Sequence, residues 1–225
     1  KYAVATFDGS HARFAGNSVY GNCAQVYALI GIFYNYSSGS SLIFEWNNIY
    51  ANYGCVNGDS TELVDPGVFA LESRLVMRFN RFHDYSGFQV LGVEYYNSSG
   101  EIYGNIFERL NAEIFGIAVV THRHDVAIRD NTFRDCTLMD GNCIGLDRAN
   151  VFGTSIVERN WFENIVNPGV GPACIYAQHP NVHIAENVFL NCLGGSAAGI
   201  QFTQMQGEGC LGEVERNHFF GNRVA

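Results

Sequence analysis

The sequence predicts an all-β fold, a parallel solenoid of about eight coils forming a single domain over residues 1–225. Three observations lead there. A phrase of the form V-x-I-x-x-N-x-F, written VAIRDNTF from Val126 to Phe133, returns along the chain with its asparagine at Asn17, Asn47, Asn80, Asn105, Asn131, Asn160, Asn187 and Asn217. These asparagines stand 30, 33, 25, 26, 29, 27 and 30 residues apart, a spacing suited to one stacked coil per copy. The flanking positions are apolar throughout. Three residues before each asparagine stands Phe14, Phe44, Met77, Ile102, Ile128, Val157, Ile184 or Val214, and two residues after it Val19, Ile49, Phe82, Phe107, Phe133, Phe162, Phe189 or Phe219.

Taken in order, Tyr2 to Ser10 (YAVATFDGS) has the alternation of a closing strand from an earlier coil. The first full copy, ARFAGNSVYGN, gives a strand ending at Asn17, a corner, the short strand Ser18 to Tyr20, and a loop leading to a further strand, ALIGIFY. That further strand recurs as GVFA at Gly67, GVEY at Gly92, GIAVV at Gly116, CIGL at Cys143, CIYA at Cys174 and GIQF at Gly199. Period-two alternation buries one face of each strand, and no stretch carries a helical 3.6-residue pattern. The small residue opening each further strand marks a tight position, approached by another backbone or side chain. At the corners an L-residue must enter the left-handed region, which asparagine tolerates, so the asparagines themselves are expected there. Stacked about 4.8 Å apart, their amides can bond in a ladder, and eight coils make a rod of about 38 Å. The aromatic two places on is expected to point inward and stack.

The phrase L-x-L-x-x-N-x-L also describes a leucine-rich repeat. Against that fold stand the second alternating strand, the dominance of Phe, Val and Ile, and repeats of varying length. Stretches such as NPGVGPAC, Asn167 to Cys174, also cannot form the outer helix. From about Ala12 onward the pattern resembles the right-handed parallel β-helix superfamily, whose members include the pectate-lyase-like proteins. The resemblance implies a fold more than an activity, since that scaffold carries lyases, hydrolases, epimerases, adhesins and inert fibres. In its lyase-like members, acidic groups on an outward strand face hold calcium, and an arginine or lysine abstracts a proton.

Composition narrows the partners. Net charge is −9 with Lys1 the single lysine, so nucleic acid is not expected as a partner. No apolar run approaches a membrane span and no signal peptide is evident. The chain opens on Lys1 without methionine, and its ends carry no amphipathic helix or charged cap, so it reads as a segment of a longer β-helical protein or one whose ends abut further coils or subunits. Sequons at Asn35 (Asn35-Tyr36-Ser37) and Asn97 (Asn97-Ser98-Ser99), in Ser/Gly-rich stretches read as exposed turns, point to a glycosylated chain outside the cell or on its surface. Of seven cysteines, Cys143 and Cys174 are expected to stack as free small hydrophobes, with Cys136 and Cys192 buried as well. Cys23 with Cys55, or Cys192 with Cys210, are the pairings that loops of adjacent coils would allow.

Chemistry has three candidate locations. Outward positions two before each asparagine read Ala15, Glu45, Arg78, Tyr103, Arg129, Glu158, Ala185 and Glu215, the interleaved charges of a solvated salt-bridge ladder. After the further strand of the middle coils stand Thr121, His122, Arg123, His124 and Asp125, then Asp147 and Arg148, then Gln178, His179 and His183, then Gln201 and Gln204. Stacking would gather His122, His124, Asp125, Asp147, Arg148 and His179 into one patch, as a glycosidase acid and base or a His/Asp metal site, or simply as polar turns facing water. The loop CVNGDSTELVDP groups Asp59, Glu62 and Asp65, which could hold calcium although EF-hand spacing is absent; no other cofactor is implied. The function expected is an extracellular structural or adhesive β-helix, a rigid glycosylated rod or binding surface in a larger assembly. The alternative is a polysaccharide lyase, glycoside hydrolase or carbohydrate-binding relative of pectate lyases.

Overall fold

The computed structural model describes residues 5–24, 33–36, 39–54, 67–122, 126–147, 154–178, 181–203 and 211–225, with no helix among them. One sheet has eight strands in chain order: His11–Ala15, Ser41–Glu45, Arg74–Arg78, Ser99–Tyr103, Val126–Arg129, Ser155–Glu158, Asn181–Ala185 and Leu211–Glu215. Each pairs parallel with the next. Six of the eight lie between two neighbours, a solenoid of about six turns, close to the eight coils counted from the asparagines. A fifteen-stranded sheet forms the other two flanks. They join because Arg81–Tyr96 and Ile106–His122, strands of 16 and 17 residues, run unbroken through the second corner. In neighbouring coils that corner separates short strands, Thr132–Arg134 and Trp161–Glu163, from the return strands Asn142–Asp147 and Ile175–Ala177.

The apolar columns stack as the phrase predicts. Phe14, Phe44, Met77, Ile102, Ile128, Val157, Ile184 and Val214 are register partners in succession. Beyond the corner, Phe82, Phe107, Phe133, Phe162, Phe189 and Phe219 stack with centroids 5.1, 5.0, 5.0, 4.9 and 4.7 Å apart and planes within 10° of parallel. The spacing is that of parallel strands, so each ring covers the next and leaves no room for water. The tight positions are real: a Cβ on Gly92 would stand 2.4 Å from Ala118 O, and one on Gly116 2.5 Å from Ala112 Cβ.

The asparagine ladder runs the full length. Nδ2 of Asn17, Asn47, Asn80, Asn105, Asn131, Asn160 and Asn187 donates to Oδ1 of the next at 2.9–3.0 Å. The same Oδ1 accepts the backbone N–H of the preceding asparagine, at 2.8 Å for Asn131. The left-handed corner, however, falls one residue earlier than expected. Gly16, Trp46, Phe79, Gly104, Asp130, Arg159, Glu186 and Arg216 hold φ between 51° and 71°, and the asparagines do not. The reversal at that residue turns its own side chain outward and the next one inward, which frees the asparagine amide for the ladder. Asparagine is needed for its bonds, not for its tolerance of φ. A second corner repeats the device, with Asn22 Nδ2 donating to Asn52 Oδ1 at 3.0 Å.

Two further expectations change. The outward charges do not form a simply solvated ladder: Glu45 is 2% exposed, roofed by Arg13 and Arg78, whose Nε atoms each approach it at 2.5 Å. Glu108 is fully buried beneath Arg81, Arg109 and Arg134. Its burial opposes ionisation, but the Arg81 and Arg134 hydrogen bonds prevail and hold the carboxyl below the usual range. The arginine stems exclude water while their heads stay exposed, which alternation alone does not reveal. Cys136, Cys143, Cys174 and Cys192 are free and buried, so the Cys192–Cys210 bridge does not form. The Cys192 thiol instead donates to the Leu190 carbonyl at 3.5 Å. Burial pushes the Cys136 thiol up to about 12. The Cys23–Cys55 pairing lies outside the described side chains.

Candidate functional site

On the outward face of the return strands, consecutive coils place Glu94, Val120, Gly145, Tyr176 and Gln201 in one register column. Beside it lies a second column in which Tyr96, His122 and Asp147 are register partners. Gly145 leaves a notch between Val120 and Tyr176. A cleft of about 520 Å³ opens over these columns, walled by Phe115, Ile117, Asp140, Val170, Gln178 and Gln201.

His122 sits between two carboxylates. Its Nδ1 lies 3.1 Å from Asp147 Oδ2 and its Nε2 3.3 Å from Glu94 Oε1, with Glu94 only 7% exposed. Burial, the largest single influence, works against the imidazolium, but the hydrogen bonds to Asp147 and Glu94 together outweigh it and raise the pKa to about 9. A raised histidine pKa stabilises the fold fully below the unfolded value, near 6.5, and the contribution is lost as pH rises through 9. The shift corresponds to at most about 3 kcal/mol. The stability of the wild type against denaturant is expected to fall as pH rises across that window, and Glu94→Gln to flatten the dependence. An unchanged profile in that variant would exclude His122 as its source.

Around the pair, donors are used internally. Gln178 Nε2 donates to the Tyr176 hydroxyl, and Ser196 Oγ donates to Gln201 Oε1 at 2.6 Å. Asp140 Oδ1 accepts the Val170 N–H at 3.0 Å. Asn142 Oδ1, in the floor, is buried with no hydrogen-bond partner. A Cβ on Gly145 would approach that oxygen to 3.3 Å.

Of the residues singled out in the sequence, the structure brings His122 and Asp147 into contact and adds Gln178 and Gln201 to the same cleft. Thr121 faces the core, 1% exposed, because it stands one residue out of phase with His122. His183 belongs to the eight-stranded sheet, beside Glu213 and Glu215 at 3.2 and 3.9 Å. His124, Asp125, Arg148 and His179 lie outside the described residues, as do Asp59, Glu62 and Asp65. Asn97 keeps its expected turn, at φ 47°. Asn35 does not: it lies within the strand Phe33–Tyr36, in register with Phe7 and Ala70, because the alternation of FYNY outweighs its local polarity. Sequence reasoning missed Glu94 and Asn142. Alternation along GVEY would have found Glu94, whose neighbours Val93 and Tyr95 are core residues.

A solenoid of stacked parallel strands with a cleft on one flank defines the class of protein. The family described as right handed beta helix region matches residues 59–189, more than half of the chain, and the chain belongs to that family. No curated protein and no solved structure gives a match. Among the described residues no helix is long and apolar enough to cross a membrane.

Proposed function

We propose that this chain is an extracellular, structural or adhesive β-helix whose return-strand flank is a saccharide-binding surface within a larger assembly. The observation that carries this is the cleft itself, where the Tyr176 ring, the amides of Gln178 and Gln201 and the His122–Asp147 pair line one wall of a rigid rod. Saccharides are bound by such combinations, an aromatic face for the C–H surface of the ring and fixed polar groups for its hydroxyls. The turn geometry at Asn97 supports a glycan there and a location outside the cell.

Binding is expected for oligosaccharides four or more units long, measured by calorimetry and by amide shifts clustered at His122 and Tyr176. Gly145→Leu, which fills the notch, should weaken it roughly tenfold. The φ of Gly145 is not left-handed, but its Cβ would stand 3.3 Å from Asn142 Oδ1, so some stability is lost as well and a urea midpoint checks that the variant is folded. If no oligosaccharide binds at millimolar concentration, or if Gly145→Leu leaves affinity intact, the cleft is not the site. An enzymatic reading, lyase or hydrolase, draws on Asp140 and Asp147 at the same cleft. Both are already engaged, by Val170 and by His122, which favours binding over acid–base work. Release of shortened oligosaccharides on incubation would put the enzyme in its place.

A further inference from the structure

Resting on the saccharide-binding reading, we infer that the cleft selects sugars bearing a protonated amine over neutral or uronate sugars. Among the described lining residues the acids are Asp140 and Asp147, with Glu94 directly behind His122. His122 is the one basic side chain among them, and both of its ring nitrogens are turned to carboxylates. A uronate entering here would meet acids at short range with no cation free among the described lining residues to receive it, and desolvation in a cleft strengthens that repulsion. The net charge of −9 adds to it at longer range.

Two polar groups of the wall point the same way, while Gln201, whose carbonyl accepts from Ser196, offers its amide N–H. The Gln178 amide N–H is held by the Tyr176 hydroxyl, so its carbonyl is the end offered to a ligand. Asn142 Oδ1, 5% exposed as a residue and without a donor, lies below the Gly145 notch. A buried acceptor left unpaired costs free energy that an incoming N–H would recover. An ammonium brings three donors and a positive charge to a place rich in acceptors and acids, and the Tyr176 ring adds a face that attracts cations.

The test is calorimetry with three tetramers: fully deacetylated chitotetraose at a pH that keeps its amines protonated, fully acetylated chitotetraose, and tetragalacturonate. The deacetylated tetramer is expected to bind roughly tenfold more tightly than its acetylated form, with an advantage that shrinks as salt is added. Asp147→Asn should remove most of that advantage. Gln178→Lys, at the half-exposed margin and outside the His122 pair, should do so by adding a positive charge and keeps the test open if Asp147→Asn fails to fold. Equal or tighter binding of the acetylated or the acidic tetramer overturns the amine preference and leaves saccharide binding standing. Failure of all three tetramers to bind overturns both.

Discussion

Asn131→Ala is expected to cost about 4 kcal/mol, a large share of the 5–15 kcal/mol that holds a typical domain together. The amide of Asn131 makes four hydrogen bonds at once. Its Oδ1 accepts from Asn105 N at 2.8 Å and Asn105 Nδ2 at 3.0 Å, and its Nδ2 donates to Asn160 Oδ1 at 3.0 Å and Ile102 O at 2.9 Å. Alanine breaks all four where water cannot enter, and leaves the Asn105 N–H without its acceptor. Asn17→Ala is the control. Asn17 stands at the end of the ladder, half-buried, and its amide donates to Asn47 and to its own Ala15 carbonyl. Its loss should cost about 1 kcal/mol. Urea midpoints of the two variants measure the difference, and equal costs would mean that the ladder is ornamental to stability.

Phe133→Ala should cost about 3–5 kcal/mol by opening a cavity the size of a ring. The ring is fully buried and lies between Phe107 and Phe162, each 5.0 Å away and tilted by only 6°. Parallel strands locked by backbone bonds on both sides cannot collapse into the gap, so little of the cost is recovered by relaxation. Phe219, half exposed at the end of the same stack, should lose less than about 1 kcal/mol on the same change. Phe133→Leu should restore most of the stability. A Phe133→Ala midpoint close to that of Phe219→Ala would show that the stack is not tightly packed.

Much of this fold was legible because one phrase specifies three things together: an inward column before the corner, the ladder residue, and an inward ring after it. Parallel stacking then converts equivalence in sequence into contact in space, which is how His122 and Asp147, 25 residues apart, were brought to one patch. What alternation could not supply was depth. It marks Glu45 and Glu94 as outward residues, and outward proved to mean roofed by arginine stems in one case and lodged behind a histidine in the other. It also misplaced Asn35, where local polarity suggested a turn and the strand pairing claimed the residue. The left-handed corner went to the residue before each asparagine because φ and ladder bonding are separate demands. Neighbouring positions meet them, and residues as different as Trp46, Asp130 and Arg216 serve the first.

The backbone and amide bonds between coils run along the axis of the rod, and each coil is bonded to its immediate neighbours. Tension applied at the two ends would therefore fall on one coil boundary at a time, loading its bonds along their length like the teeth of a zipper. Each boundary that gives way would pay out one coil of 25 to 33 residues, about 100 Å of extended chain. Such a rod yields in many small steps and absorbs work at each. The stretch from Arg81 to His122, where the two longest strands share the most extensive pairing, would be the last to let go.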